Sequence, residues 1–139
     1  MFNVFGHLDW LAITLATLAC SALGGLWFAA LLPRQYALAL GRDPAHKLAM
    51  TPLMALGPML CMGAVAITCA LLMEALHVTA WRDALSFGAI VGVGFLVATM
   101  VNIAINPNFP RPLAYAALNA PYFLASGLVI CSVLVAFRH

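Results

Sequence analysis

Few side chains in this chain have types and spacing suited to chemistry, and they are scattered. Glu74 is the one acid embedded in an apolar run, and it stands near the end of that run. There it can anchor the chain at an interface or pair with Arg82 across a short loop. Deeper in a membrane it would read as a proton- or cation-coupling carboxylate. His7, His46, His77 and His139 fall at ends or in loops, and no pair is placed to ligate a haem. Cys20, Cys61, Cys69 and Cys131 all lie inside apolar runs, without C-x-x-C or zinc-type spacing. They read as small packing residues rather than metal ligands or a disulfide framework. The sequence therefore leads us to expect no catalytic residue, no metal and no cofactor.

Two amides say more. Asn102 and Asn119 sit within apolar runs, each about two turns from the same boundary. Trp27 lies at similar depth, and Tyr122 follows Asn119 at a spacing that shares its helix face. An unpaired amide in hydrocarbon costs several kcal/mol, so both amides are expected to face the interior. Two readings follow. The amides could be polar glue between helices, worth about 1 kcal/mol. Alternatively, Trp27 and Tyr122 could wall a pocket open to the cytoplasm, with the amides as its polar contacts.

The elements that must position these residues are four long apolar stretches, roughly 11–32, 50–76, 84–105 and 113–137, each near the ~20 residues that cross a hydrocarbon core. The chain is 65% hydrophobic and 7% charged, against about 25% charged in soluble domains. The fold expected is all-α: an integral membrane four-helix bundle with short loops, forming one domain over residues 1–139. A net charge of +2 without a basic stripe gives no reason to expect nucleic acid as a partner. The N-terminus lacks Lys and Arg, so the first run reads as a retained span rather than a signal peptide.

Punctuation between the runs is informative. Pro33 suits the end of the first span, and Arg34–Gly41 reads as one or two interfacial turns closed by Gly41. Asp43-Pro44 and Thr51-Pro52 each offer an N-cap followed by a first-turn proline. Pro58 should kink the second span. Arg34, Arg42, Lys47 and Arg111 fall in the first and third loops, while Arg82 and Arg138 fall on the other side. The positive-inside rule then places both termini outside.

Helices in lipid associate by close packing, for which small residues four apart are the signature. Gly88-x-x-x-Gly92, Cys20-x-x-x-Gly24, Ser21-x-x-x-Gly25 and Ala116-x-x-x-Ala120 all carry it. Gly24, Gly25, Gly88 and Gly92 are thus expected at helix contacts, either within the bundle or at a homodimer seam.

Several short motifs together resemble one family. They are Gly24-Gly25-Leu26-Trp27-Phe28, the opening Phe5-Gly6-His7-Leu8-Asp9-Trp10-Leu11-Ala12, and an ordered series late in the chain. That series runs Thr99-Met100-Val101-Asn102, Phe109-x-Arg111-Pro112 and Leu118-Asn119-Ala120-x-Tyr122. The pattern is similar to the small bacterial membrane proteins catalogued as domain of unknown function 1761. Pro121 and Phe123 depart from it, where the family pattern has glycine and histidine. The resemblance implies a four-helix bacterial inner-membrane protein and brings no activity with it.

The function expected is accordingly non-enzymatic: binding a small apolar ligand or a partner helix within the bilayer, through the cytoplasmic-side pocket. The alternative is a small dimeric drug or metabolite transporter, which would need an acidic residue deep in a span. A membrane enzyme such as a glutathione-dependent transferase would need buried arginines, and the spans offer none.

Overall fold

In hydrocarbon every backbone polar group must be satisfied within its own segment, so an apolar run of this length folds as helix. The computed structural model describes residues 6–46 and 49–138. Four helices are long and apolar enough to cross a membrane: α1 (Trp10–Leu31), α3 (Pro52–Ala75), α4 (Trp81–Ala104) and α5 (Pro112–Ala136). A short helix, α2 (Pro33–Ala39), follows α1. No strand occurs among the described residues. The chain is an all-α, multi-pass membrane protein. Lys47, His139 and the residues before Gly6 lie outside the described residues.

The helix ends follow local chemistry. Asp9 caps α1, its Oδ1 accepting from the amides of Leu11 at 2.9 Å and Ala12 at 3.0 Å. α2 opens on Pro33, and Gly41 beyond its end takes φ +69°, a conformation glycine tolerates without cost to a side chain. The Asp43 cap holds only a turn, with Ala45 N at 2.9 Å from Oδ1. The helix proper begins at Pro52 behind Thr51, whose hydroxyl accepts from Met54 N at 3.3 Å. The span is therefore shorter at its start than the apolar pattern suggests. α4 begins three residues earlier than its apolar run, because Asp83 suits a first turn, where the helix dipole favours an acid.

Hydroxyls within the spans are satisfied locally. Thr14, Thr17, Ser21 and Thr68 each donate to the carbonyl four residues back, at 2.8–2.9 Å. Two spans widen into π-helical turns beside glycines, α1 over Gly25–Leu31 and α4 over Val91–Val97. The amide of Leu32 closes the first of these on the carbonyl of Trp27 at 2.9 Å.

The last helix organises the bundle. α5 packs against α1, α4 and, more lightly, α3, while α3 leans mainly on α1. The core mixes small side chains, among them Ala12, Ala16, Cys20, Ala66, Cys69, Ala84 and Cys131, with larger ones such as Met73 and Ile130. Other large side chains, such as Leu18, Leu60, Ile90 and Phe95, face outward. The outward leucines follow from the solvent. Lipid is as apolar as leucine, so burial selects close contact rather than hydrophobicity.

Candidate functional site

At the end of the bundle that carries α2, α5 runs through Pro121 without a break. Pro121 carries no N–H, so the carbonyl of Ala117 loses its helical donor. The Trp27 indole crosses from α1 and donates to the adjacent carbonyl, that of Leu118, at 3.0 Å. Asn119 is buried, and its Nδ2 donates to the Tyr115 carbonyl of its own helix at 2.7 Å. Tyr122 is also buried. Its ring lies against Gly24, where an added Cβ would stand 3.1 Å from the phenol oxygen.

A chain of rings fills the rest. Phe28 sits 4.8 Å from Tyr36 and 5.0 Å from Tyr122, centroid to centroid. Tyr36 continues to Tyr115 at 5.9 Å, Tyr115 to Phe109 at 4.8 Å, and Tyr122 to Phe123 at 5.1 Å. Burial, and then the neighbouring Tyr115 phenol, push the Tyr36 hydroxyl up to about 12, and Arg42 pulls it partly back.

The structure thus brings Gly24, Trp27, Asn119 and Tyr122 together but leaves two expected members out. Asn102 is exposed and makes no bond to Asn119 among the described residues. The reason is depth: α4 ends at Ala104, so Asn102 stands in the last turn, where headgroups and water can satisfy its amide. Gly25 is exposed, with nothing within 4 Å of an added Cβ, so it makes no close contact within the bundle. Phe28 packs between Tyr36 and Tyr122 at this end of the bundle.

Gly88 and Gly92 lie against α5. A Cβ on Gly88 would meet the Gly127 carbonyl oxygen at 2.7 Å, and one on Gly92 would meet Leu124 Cα at 3.0 Å. Gly127, four residues before Cys131, is not among the glycines expected at helix contacts.

The free volume is elsewhere. At the opposite end of the bundle a cavity of about 370 Å³ is lined by His7, Asp9, Glu74, His77, Thr79 and Arg138 over an apolar floor. Glu74 pairs there with Arg138, Oε2 to Nη2 at 2.5 Å, and not with Arg82. The same guanidinium donates through Nη1 to the carbonyls of Met73 at 3.0 Å and Val78 at 2.7 Å. Sequence reasoning missed this pair because its partners are 64 residues apart. A second, almost wholly apolar groove of about 270 Å³ runs between α3 and α4. Its lining includes Ala64, Val65, Thr68 and Leu72 on one side and Phe95 and Leu96 on the other. Among the described residues, no three His, Cys, Asp or Glu side chains are grouped to hold a metal ion.

A family model described as "Protein of unknown function (DUF1761)" matches residues 11–135. The chain belongs to this family. The DUF1761 match takes in all but one end residue each of the first and last spans, both middle spans, the ring cluster and the α3–α4 groove. His7, Asp9 and Arg138, which line the larger cavity, lie outside the matched DUF1761 segment. No curated protein and no solved structure matches the chain.

Proposed function

We propose that this is a non-enzymatic protein of the bacterial inner membrane, with both termini outside, that holds a small apolar ligand of the acyl-chain class. The site is the groove between α3 and α4. One observation carries the reading: these two consecutive spans pack on α1 and α5 rather than on each other. That leaves an apolar cleft of about 270 Å³ facing the lipid. Its lining is apolar apart from Thr68, which suits the methylene groups of an acyl chain. Thr68, the one hydroxyl in the lining, is already bonded to the carbonyl of Ala64 at 2.9 Å and asks nothing of a ligand.

The inner ring cluster then serves to hold α1 on α5 beneath the groove. Cation-coupled transport has less support. Glu74 is the penultimate residue of α3 and is bonded to Arg138.

The test is to fill the groove. Thr68→Trp and Ala64→Trp should each lower retention of phospholipid, measured by native mass spectrometry after delipidation, with the helical circular dichroism unchanged. Full retention by both variants would refute the reading. A wild-type dimer that dissociates in Thr68→Trp would refute it too, by making a second copy the occupant.

A further inference from the structure

We propose that the α3–α4 groove takes its acyl chain from one leaflet, the one beside the α3–α4 connection, and selects that chain by length. This rests on the groove being the ligand site and adds the depth at which the site stands. α3 and α4 have 24 residues each, and Ala75 and Trp81 flank the connection between them. Each span is therefore about 36 Å long, with its midpoint about 18 Å from that end.

Helix rise turns each lining residue into a depth. On α3, Leu72 stands three residues from Ala75, and Ala64 eleven. Those are depths of about 4.5 and 16.5 Å. On α4, Val91 stands ten residues from Trp81, and Leu96 fifteen. Those are depths of about 15 and 22 Å. The groove thus begins close under the connection and passes the middle of the spans only at Phe95 and Leu96. The half of α3 that starts at Pro52 contributes nothing to the lining.

A chain that fills the groove must follow the same course. The hydrocarbon core is ~30 Å thick, so the chains of each leaflet end near its middle, ~15 Å down. A full-length chain entering beside the connection passes Leu72 and brings its methyl end to Phe95 and Leu96. Phe95 is 65% exposed in the bundle and offers that end a surface to cover. A 12-carbon chain reaches about two-thirds as deep as an 18-carbon one, roughly 10 Å, and stops above both side chains. A chain from the opposite leaflet meets the groove only at its deep end. Nothing in the groove holds a headgroup, because its one hydroxyl, that of Thr68, is bonded to Ala64.

The experiment reconstitutes the full chain in nanodiscs of equal parts phosphatidylcholine with 12-carbon and with 18-carbon chains. Lipids that stay with the protein are counted by native mass spectrometry. The wild type should retain the longer lipid over the shorter by about tenfold, equivalent to about 1.4 kcal/mol. Phe95→Ala and Leu96→Ala, at the deep end, should each reduce that ratio. Leu72→Ala, at the shallow end, should lower retention of both lipids alike and keep the ratio. Equal retention of the two lipids by the wild type overturns the proposal, and that comparison needs no variant to fold. A ratio lost in Leu72→Ala but kept in Phe95→Ala and Leu96→Ala overturns it as well, because the chain end then lies toward the other interface. Thr68→Trp separates this proposal from the reading beneath it. If it sheds both lipids while the wild type holds them equally, the groove binds chains and the selection by length is wrong. If it retains both, the two fall together.

Discussion

The α4–α5 crossing allows a quantitative test, because it places glycines of one helix in opposite environments. Alanine at Gly88 would set its Cβ 2.7 Å from the Gly127 carbonyl oxygen and 3.1 Å from Leu128 Cα. Both are backbone atoms, so no rotamer change relieves the contact. The helices must separate by roughly 0.5–1 Å, which forfeits a quarter to a half of each dispersion contact along the seam. Overpacking of this kind costs about 1–3 kcal/mol. Opposing it, Ala is favoured over Gly inside a helix by about 1 kcal/mol. Gly94 lies two residues beyond Gly92 with nothing within 4 Å of its would-be Cβ. Gly94→Ala should therefore gain the propensity term alone. Reversible unfolding in mixed micelles should put Gly88→Ala below Gly94→Ala by about 1–3 kcal/mol. Gly127→Ala should match Gly88→Ala, since its Cβ would come 2.5 Å from the Gly88 carbonyl oxygen. If Gly88→Ala equals Gly94→Ala in stability, the backbones do not meet at this crossing and the arrangement of α4 on α5 is wrong.

Two further outcomes are expected. The fold holds the Tyr36 phenol neutral up to about pH 12, against an ordinary value of 10.0. Its contribution to stability is complete below about pH 10 and is lost as pH climbs from about 10 to about 12, so unfolding midpoints should fall across that window and fall less in Tyr36→Phe. For orientation, a membrane-impermeant thiol reagent applied from outside should label Thr79→Cys and miss Arg42→Cys, and the reverse pattern would invert the topology.

The spans were legible because length and apolarity are properties of single segments, and a bilayer reads segments one at a time. Their neighbours were not. Each helix is apolar around its whole circumference, so no stripe points to a partner, and the choice falls to shape. Gly88 and Gly92 could be found by their four-residue spacing, but nothing in that spacing says that Gly127 of α5 is the residue they meet. Gly25 shares the spacing and touches nothing, which shows that the motif permits close approach without demanding it. Asn102 shows a similar gap. Its place in an apolar run suggested burial, and the decisive quantity was its distance from the helix end, two residues before Ala104.

Trp27 and Pro121 show how one feature hides another. Read alone, Trp27 is a membrane aromatic and Pro121 a departure from the family pattern. Together they form a unit in which the indole of α1 bonds the Leu118 carbonyl, next along the chain from the Ala117 carbonyl that Pro121 leaves without a helical donor. Asn119 bonds the Tyr115 carbonyl one turn away from within the helix. The Trp27 indole and the Asn119 amide are thus both taken up by the backbone of α5. Polar residues that satisfy one another hold a bundle together. Ligand binding is to be sought where space is left open, and the groove between α3 and α4, whose one hydroxyl is already bonded to Ala64, is such a place.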